Sequence, residues 1–125
     1  MSDRLEWFSI TVPAGSTRTN PHKTSLAFQQ GEVIEIDVKV PPGPAGNVGF
    51  FISAGGERYV PRTPGSFIVP DDDYFTWPMV NAINTGSWSF TAFNTDIYDH
   101  LIQVGFQVNE LVFAPDISIT QAIGL

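Results

Sequence analysis

The chain has no cysteine among its 125 residues. That excludes disulfide staples and thiolate metal sites. Charge is also scarce, at 15% of residues against the usual quarter or so of a soluble domain. Basic residues are scarcer still: six Lys and Arg stand against thirteen Asp and Glu, for a net charge of −7. The six, Arg4, Arg18, Lys23, Lys39, Arg58 and Arg62, are scattered, so no basic stripe is available to neutralise phosphates, and nucleic-acid binding is not expected. The acidity argues equally against docking on an anionic membrane. Apolar runs fall far short of the ~20 residues that span a bilayer. No segment holds a 3.6-residue period long enough for a core helix. Met1-Ser2-Asp3-Arg4-Leu5-Glu6 lacks the charged-then-apolar order of a secretory leader, so cytosolic synthesis is expected.

What is present is two-residue alternation cut by proline and glycine. Val33 to Val40 alternates apolar with charged residues and stops at Pro41-Pro42-Gly43-Pro44-Ala45-Gly46. In Leu101–Val108 the residues Ile102, Val104, Phe106 and Val108 share one face, with Gln103, Gly105 and Gln107 on the other. This is how strands with one buried face read. Further strands are expected at Trp7–Val12, Thr24–Gln29, Asn47–Ser53, Glu57–Val60, Ser66–Val69, Tyr74–Trp77 and Ser87–Phe93. Ala54-Gly55-Gly56-Glu57 is a hairpin connection, because glycine accepts the positive φ of tight hairpin turns. Thr17–Lys23 reads as a loop, and Pro78–Gly86 as irregular, with one helical turn at Met79–Ile83. Eight to nine short strands predict an all-β fold, a single antiparallel sandwich of jelly-roll type, over residues 1–110. Residues 111–125 form a separate C-terminal strand or arm, packing on its own domain or on a neighbouring subunit.

Chemistry-bearing residues are few. Asp71-Asp72-Asp73 offers oxygen ligands but not the alternate spacing and turn glycine of calcium loops, so it reads as a solvated strand entry. His100 stands beside Asp99 and four residues after Asp96, the makings of an oriented imidazole. No nucleophile elbow accompanies it, and His100 is expected instead to bond the Asn94–Asp99 turn. His22 lies in a polar loop, and two such histidines give no zinc set. No catalytic residue, cofactor or metal is expected. Trp7, Trp77, Trp88, Tyr59, Tyr74 and Tyr98 suggest either a sugar-stacking platform or core filling. Trp77 and Trp88 fall at inward positions, whereas Tyr74 and Tyr98 suit the surface.

The remaining signal is for contacts with other proteins. Three prolines, Pro41, Pro42 and Pro44, stiffen a charge-free loop that loses little entropy on docking. Past Pro115 the tail is apolar, and Val112, Phe113, Ile117, Ile119 and Ile123 would be costly to leave in water.

Four strings, Ile10-Thr11-Val12-Pro13-Ala14-Gly15, Val40 to Gly46 leading into Val48-Gly49-Phe50, Gly86-Ser87-Trp88, and Phe93 to His100, resemble small virion-associated β-sandwich proteins of tailed bacteriophages, especially those of actinobacteria. The resemblance covers roughly residues 7–109. It implies a non-enzymatic virion protein, made in the host cytoplasm, whose partners are the major capsid protein or other virion proteins. It further implies a capsid decoration (cement) or minor capsid role, with a homo-oligomer, a trimer above all. A carbohydrate-binding module on the virion and a neck or tail accessory protein are the other readings.

Overall fold

The computed structural model describes residues 3–109, with the side chains of 3 and 80–84 not among those described. Eight strands are seen among the described residues: β1 (Asp3–Val12), β2 (His22–Ala27), β3 (Glu32–Val40), β4 (Val48–Ala54), β5 (Glu57–Val60), β6 (Asp73–Asn84), β7 (Ser87–Asn94) and β8 (His100–Asn109). They form two four-stranded sheets, ordered β1-β8-β3-β6 and β2-β7-β4-β5, in which every paired neighbour is antiparallel. The chain changes sheet at every connection except the β4–β5 hairpin. Eight strands wound alternately into two facing sheets make a jelly-roll sandwich.

The alternation read in the sequence is what closes the two sheets on each other. Ile10, Val12, Ile36, Val38, Ile102, Val104, Phe106 and Val108 of the first sheet meet Leu26, Val48, Phe50, Ile52, Trp88 and Phe90 of the second, all buried. Phe106 sits at the meeting point, its ring 5.1 Å from those of Phe28 and Trp88 and 5.9 Å from that of Phe8. In the β4–β5 hairpin Gly55 and Gly56 both have positive φ, 59° and 82°, as a two-residue turn of this kind requires.

Three expectations need correction. Residues 78–84 are neither irregular nor helical but belong to β6, which continues to Asn84. Pro78 is tolerated because β6 is an edge strand, where one side of the backbone needs no ladder donor. β2 starts at His22 rather than Thr24, since His22 and Lys23 pair with Ala92 and Thr91. The segment Ser66–Val69 is reduced to one bridge, in which Ile68 and Phe50 exchange two 2.9 Å backbone hydrogen bonds.

A bulge between Val33 and Glu35 changes how β3 reads. The extra residue, Ile34, lets Val33 and Ile36 both face the core while Glu35 faces outward with Asp37.

The long connections gather at one end. Those following β1 (13–21), β3 (41–47), β5 (61–72) and β7 (95–99) all emerge where His100 pairs with Val12. The short ones lie at the opposite end, where Asp3 and Glu32 pair with Asn109.

Candidate functional site at the loop end

Asn94 organises the long loops. It is fully buried, and its side-chain amide donates to the carbonyls of Val12 (3.0 Å) and Tyr98 (2.8 Å). Its Oδ1 accepts from the backbone N–H of Asp96 at 2.9 Å, the self-bonded turn typical of asparagine. Its own backbone N–H donates to Ser16 Oγ at 2.9 Å, and its carbonyl accepts from Gly15. One side chain therefore ties the end of β1 to the turn that enters β8.

The acidic residues nearby serve the same purpose. Asp99 Oδ1 accepts from the N–H of Ala14 at 2.8 Å. Asp71 Oδ1 accepts from the N–H groups of Gly43 and Ala45, at 3.0 and 3.1 Å, and so caps the proline loop. Asp73 in turn accepts from the N–H of Asp71. Asp71 and Asp73 thus hold backbone, and among the described residues no group of three His, Cys, Asp or Glu comes together to hold a metal. His100 does bond the turn: its Nε2 lies 2.8 Å from Asp96 Oδ2, not against the adjacent Asp99. Its ring also packs on Gly43, where a Cβ would come within 3.6 Å. His22 is exposed and lines a separate shallow cleft of about 330 Å³ with Pro13 and Asn20.

The hydrogen bond with His100 and the N–H of Ile97 hold the Asp96 carboxyl below the ordinary carboxylate range. A lowered pKa stabilises the fold above the unfolded value of 3.8, and the contribution is lost as pH falls through the folded value. Acid therefore removes the Asp96–His100 contribution to this turn only as pH falls below the ordinary carboxylate range.

The framework displays apolar side chains to solvent. Ile97 is 80% exposed and Tyr98 67%, at the tip of the β7–β8 turn. Pro41 and Pro42 are exposed on the 41–47 loop at the same end of the sandwich, which the bond from Thr95 N–H to Asn47 O ties to this turn, whereas Pro44 is buried in its own loop. Of the residues expected to make contacts, only Pro41, Pro42 and Pro44 fall in the described part. Val112, Phe113, Ile117, Ile119 and Ile123, with the whole 111–125 arm, lie outside the described residues. β8 ends at Asn109, at the end of the sandwich opposite the prolines. Ile97 was missed in the sequence because an isoleucine in a turn carries no periodic signal.

The aromatics divide between core and surface. Trp88 is buried, with Tyr59 5.5 Å from it. Trp77 faces inward, half-buried and stacked on Phe75. Tyr74, Tyr98 and Trp7 are exposed. The six therefore do not form one platform. A second aromatic cluster, unmarked in the sequence, covers the outer side of the β2-β7-β4-β5 sheet. Phe67 packs edge-on against Phe51 and Phe93, with Arg58 3.6 Å above Phe51 and Arg18 4.7 Å above Phe93.

One acidic pair lies away from the loops. Asp37 faces outward from β3, yet it is buried, and Glu35 beside it is hydrogen-bonded to it. Burial, that hydrogen bond and the charge of Asp37 raise the Glu35 pKa. Glu35 should accordingly titrate above its ordinary 4.5 in a carboxyl-resolved NMR titration, and Asp37→Asn should bring the midpoint down. With a raised pKa, the stabilising contribution is complete below pH 4.5 and is lost as pH rises through the folded value.

No protein-family model and no curated protein matches this chain.

Proposed function

We propose that this chain is a non-enzymatic structural protein of a tailed-phage particle, a capsid decoration or minor capsid protein that clips onto the head surface. The observation that carries this reading is the rigid apolar tip. Ile97 and Tyr98 stand in solvent on a turn held by Asn94, at the same end of the sandwich as the loop of the exposed Pro41 and Pro42. Such side chains are pre-ordered for docking and lose little conformational entropy when a partner covers them. Repetition over many copies turns a modest contact into a large gain in shell stability. The partner is the major capsid protein, and the chain acts as a small oligomer, a trimer foremost. The resemblance to small virion sandwiches supports the same reading, as does a surface poor in charge.

The test is binding of the purified full chain to emptied, expanded phage heads, read by cosedimentation and by the melting temperature of the heads. Saturable binding at hundreds of copies per head, with a raised melting temperature, is the expected result. Ile97→Asp with Tyr98→Ala should weaken binding by about 100-fold, since two interface anchors worth about 1.4 kcal/mol each multiply. A chain that stays monomeric and ignores heads sinks the reading. Recovery in a few dozen copies with necks or tails would move the protein to an accessory position.

A further inference from the structure

We propose that the outer face of the β1-β8-β3-β6 sheet is a carbohydrate-binding surface, on which a neutral linear oligosaccharide stacks on Trp7 and donates hydroxyl hydrogen bonds to Asp37. This surface is distinct from the loop tip and does not depend on head binding.

Gly105 is the floor of this surface. A Cβ there would lie 2.8 Å from Trp7 Cδ2, 2.8 Å from Cε2 and 2.9 Å from Cε3. Three ring atoms at nearly equal distance mean that the indole lies flat on the bare glycine backbone. Its other face looks into solvent, and Trp7 is 45% exposed. Only glycine permits this close approach of ring to strand. An indole presented flat on a rigid sheet offers the negative face of its quadrupole to the polarised C–H groups of a pyranose ring.

Gly105 also sets what stands beside the ring, because it pairs with Trp7 on one side and Asp37 on the other. Ile36 and Val38 point into the core, so Asp37 points outward, toward the indole side of the sheet. Asp37 is nonetheless only 6% exposed, and its Oδ1 has no hydrogen-bond partner among the described residues. A buried acceptor without a donor is a standing cost to the fold, and a donor-rich ligand removes it once the side chains covering Asp37 move aside. Trp88 Nε1 is likewise unpartnered, but it lies in the core between the two sheets, whereas Asp37 lies just under the outer face of one. Glu35, bonded to Asp37, adds a second carboxyl one row along the same face, opposite Gln107.

The face is also long enough for a chain of sugars. Tyr74, 60% exposed, stands on the opposite edge strand, in the row Ser9–Gln103–Lys39–Tyr74 next to that of Trp7. Edge to edge is three strand spacings, roughly 14 Å. Between the two aromatic rings lie amide, ammonium and carboxyl groups suited to hydroxyls. Acidic polymers and nucleic acids do not fit, since Asp37 and the net charge of −7 repel them.

The experiment is a titration of the full chain with cellotetraose, maltotetraose and chitotetraose, read by tryptophan emission and calorimetry. Trp7 reports the surface, because Trp77 and Trp88 face inward. At least one tetraose should shift the emission saturably, the parent monosaccharide at least 10-fold more weakly. Trp7→Ala should abolish binding, and Asp37→Asn and Tyr74→Ala should each weaken it about 10-fold, with unchanged circular dichroism. Trp7→Ala should leave head binding intact, so the two proposals fail separately. No response to any tetraose at millimolar concentration overturns the inference, as does a response that survives Trp7→Ala. Calcium producing the same shift would make the acidic pair a cation site instead. A signal that tracks protein dilution would make the face an interface between copies, and either result overturns the inference.

Discussion

Replacing Phe106 by alanine will lower the stability of the domain by about 4 kcal/mol, the upper part of the range for a buried aromatic truncated in a packed core. Phe106 is fully buried and joins three rings that arrive from different parts of the chain. Phe8 comes from β1 in its own sheet, Trp88 from β7 in the facing sheet, and Phe28 from the connection into β3. Truncation leaves a cavity that none of the three can fill without leaving the others. Phe106→Leu keeps most of the volume and should cost about 1 kcal/mol. Denaturant titration followed by near-ultraviolet circular dichroism checks both, because Trp88 loses one of its two aromatic neighbours in each variant but keeps a packed side chain at that place only in Phe106→Leu. Equal midpoints for Phe106→Ala and the parent would show that the two sheets do not meet through this ring.

Asn94→Ala should cost about 3 kcal/mol, although the side chain is polar and small. It removes two donors and one acceptor at a site with no exposure to water, leaving the carbonyls of Val12 and Tyr98 and the N–H of Asp96 to find new partners. An orphaned buried group costs about 1–3 kcal/mol, and the three share one site, so the losses are not simply additive. The melting temperature should fall by roughly 10 °C on the usual scaling for a domain of this size. Amide exchange at Asp96 should accelerate, and the turn carrying Ile97 and Tyr98 should lose its fixed shape, weakening head binding without touching the contact residues. Asn94→Asp should be no milder: it keeps the acceptor for Asp96 but loses both donations and buries a carboxylate. A melting temperature unchanged in both variants would show that the loop end is held by its other bonds alone.

β3, β4 and β8 could be read from the chain because the pleat writes a buried apolar face into every second residue, a period that β3 breaks only at the Ile34 bulge. The hairpin at Gly55-Gly56 could be read because positive φ selects glycine. The course of β6 could not, since Pro78 normally ends a strand, and only its place at a sheet edge makes it harmless. His100 was legible as a turn-binding residue, but its partner Asp96 was not separable from Asp99 by spacing. The surface group Ile97 with Pro41 and Pro42 was half legible: rigid prolines announce themselves, and a lone isoleucine does not. Trp7 and Asp37 are the clearest case. They are thirty positions apart and meet only because both pair with Gly105, one from each side.

The sequence by itself determined an all-β sandwich, its hairpin and its inward faces, because burial period and turn chemistry are local properties of neighbouring residues. Tertiary structure alone decided which strands are edges, which acids spend their oxygens on backbone amides, and which aromatic ring is left facing water. Those depend on strand order and register, and register is fixed by contacts between residues far apart in the chain.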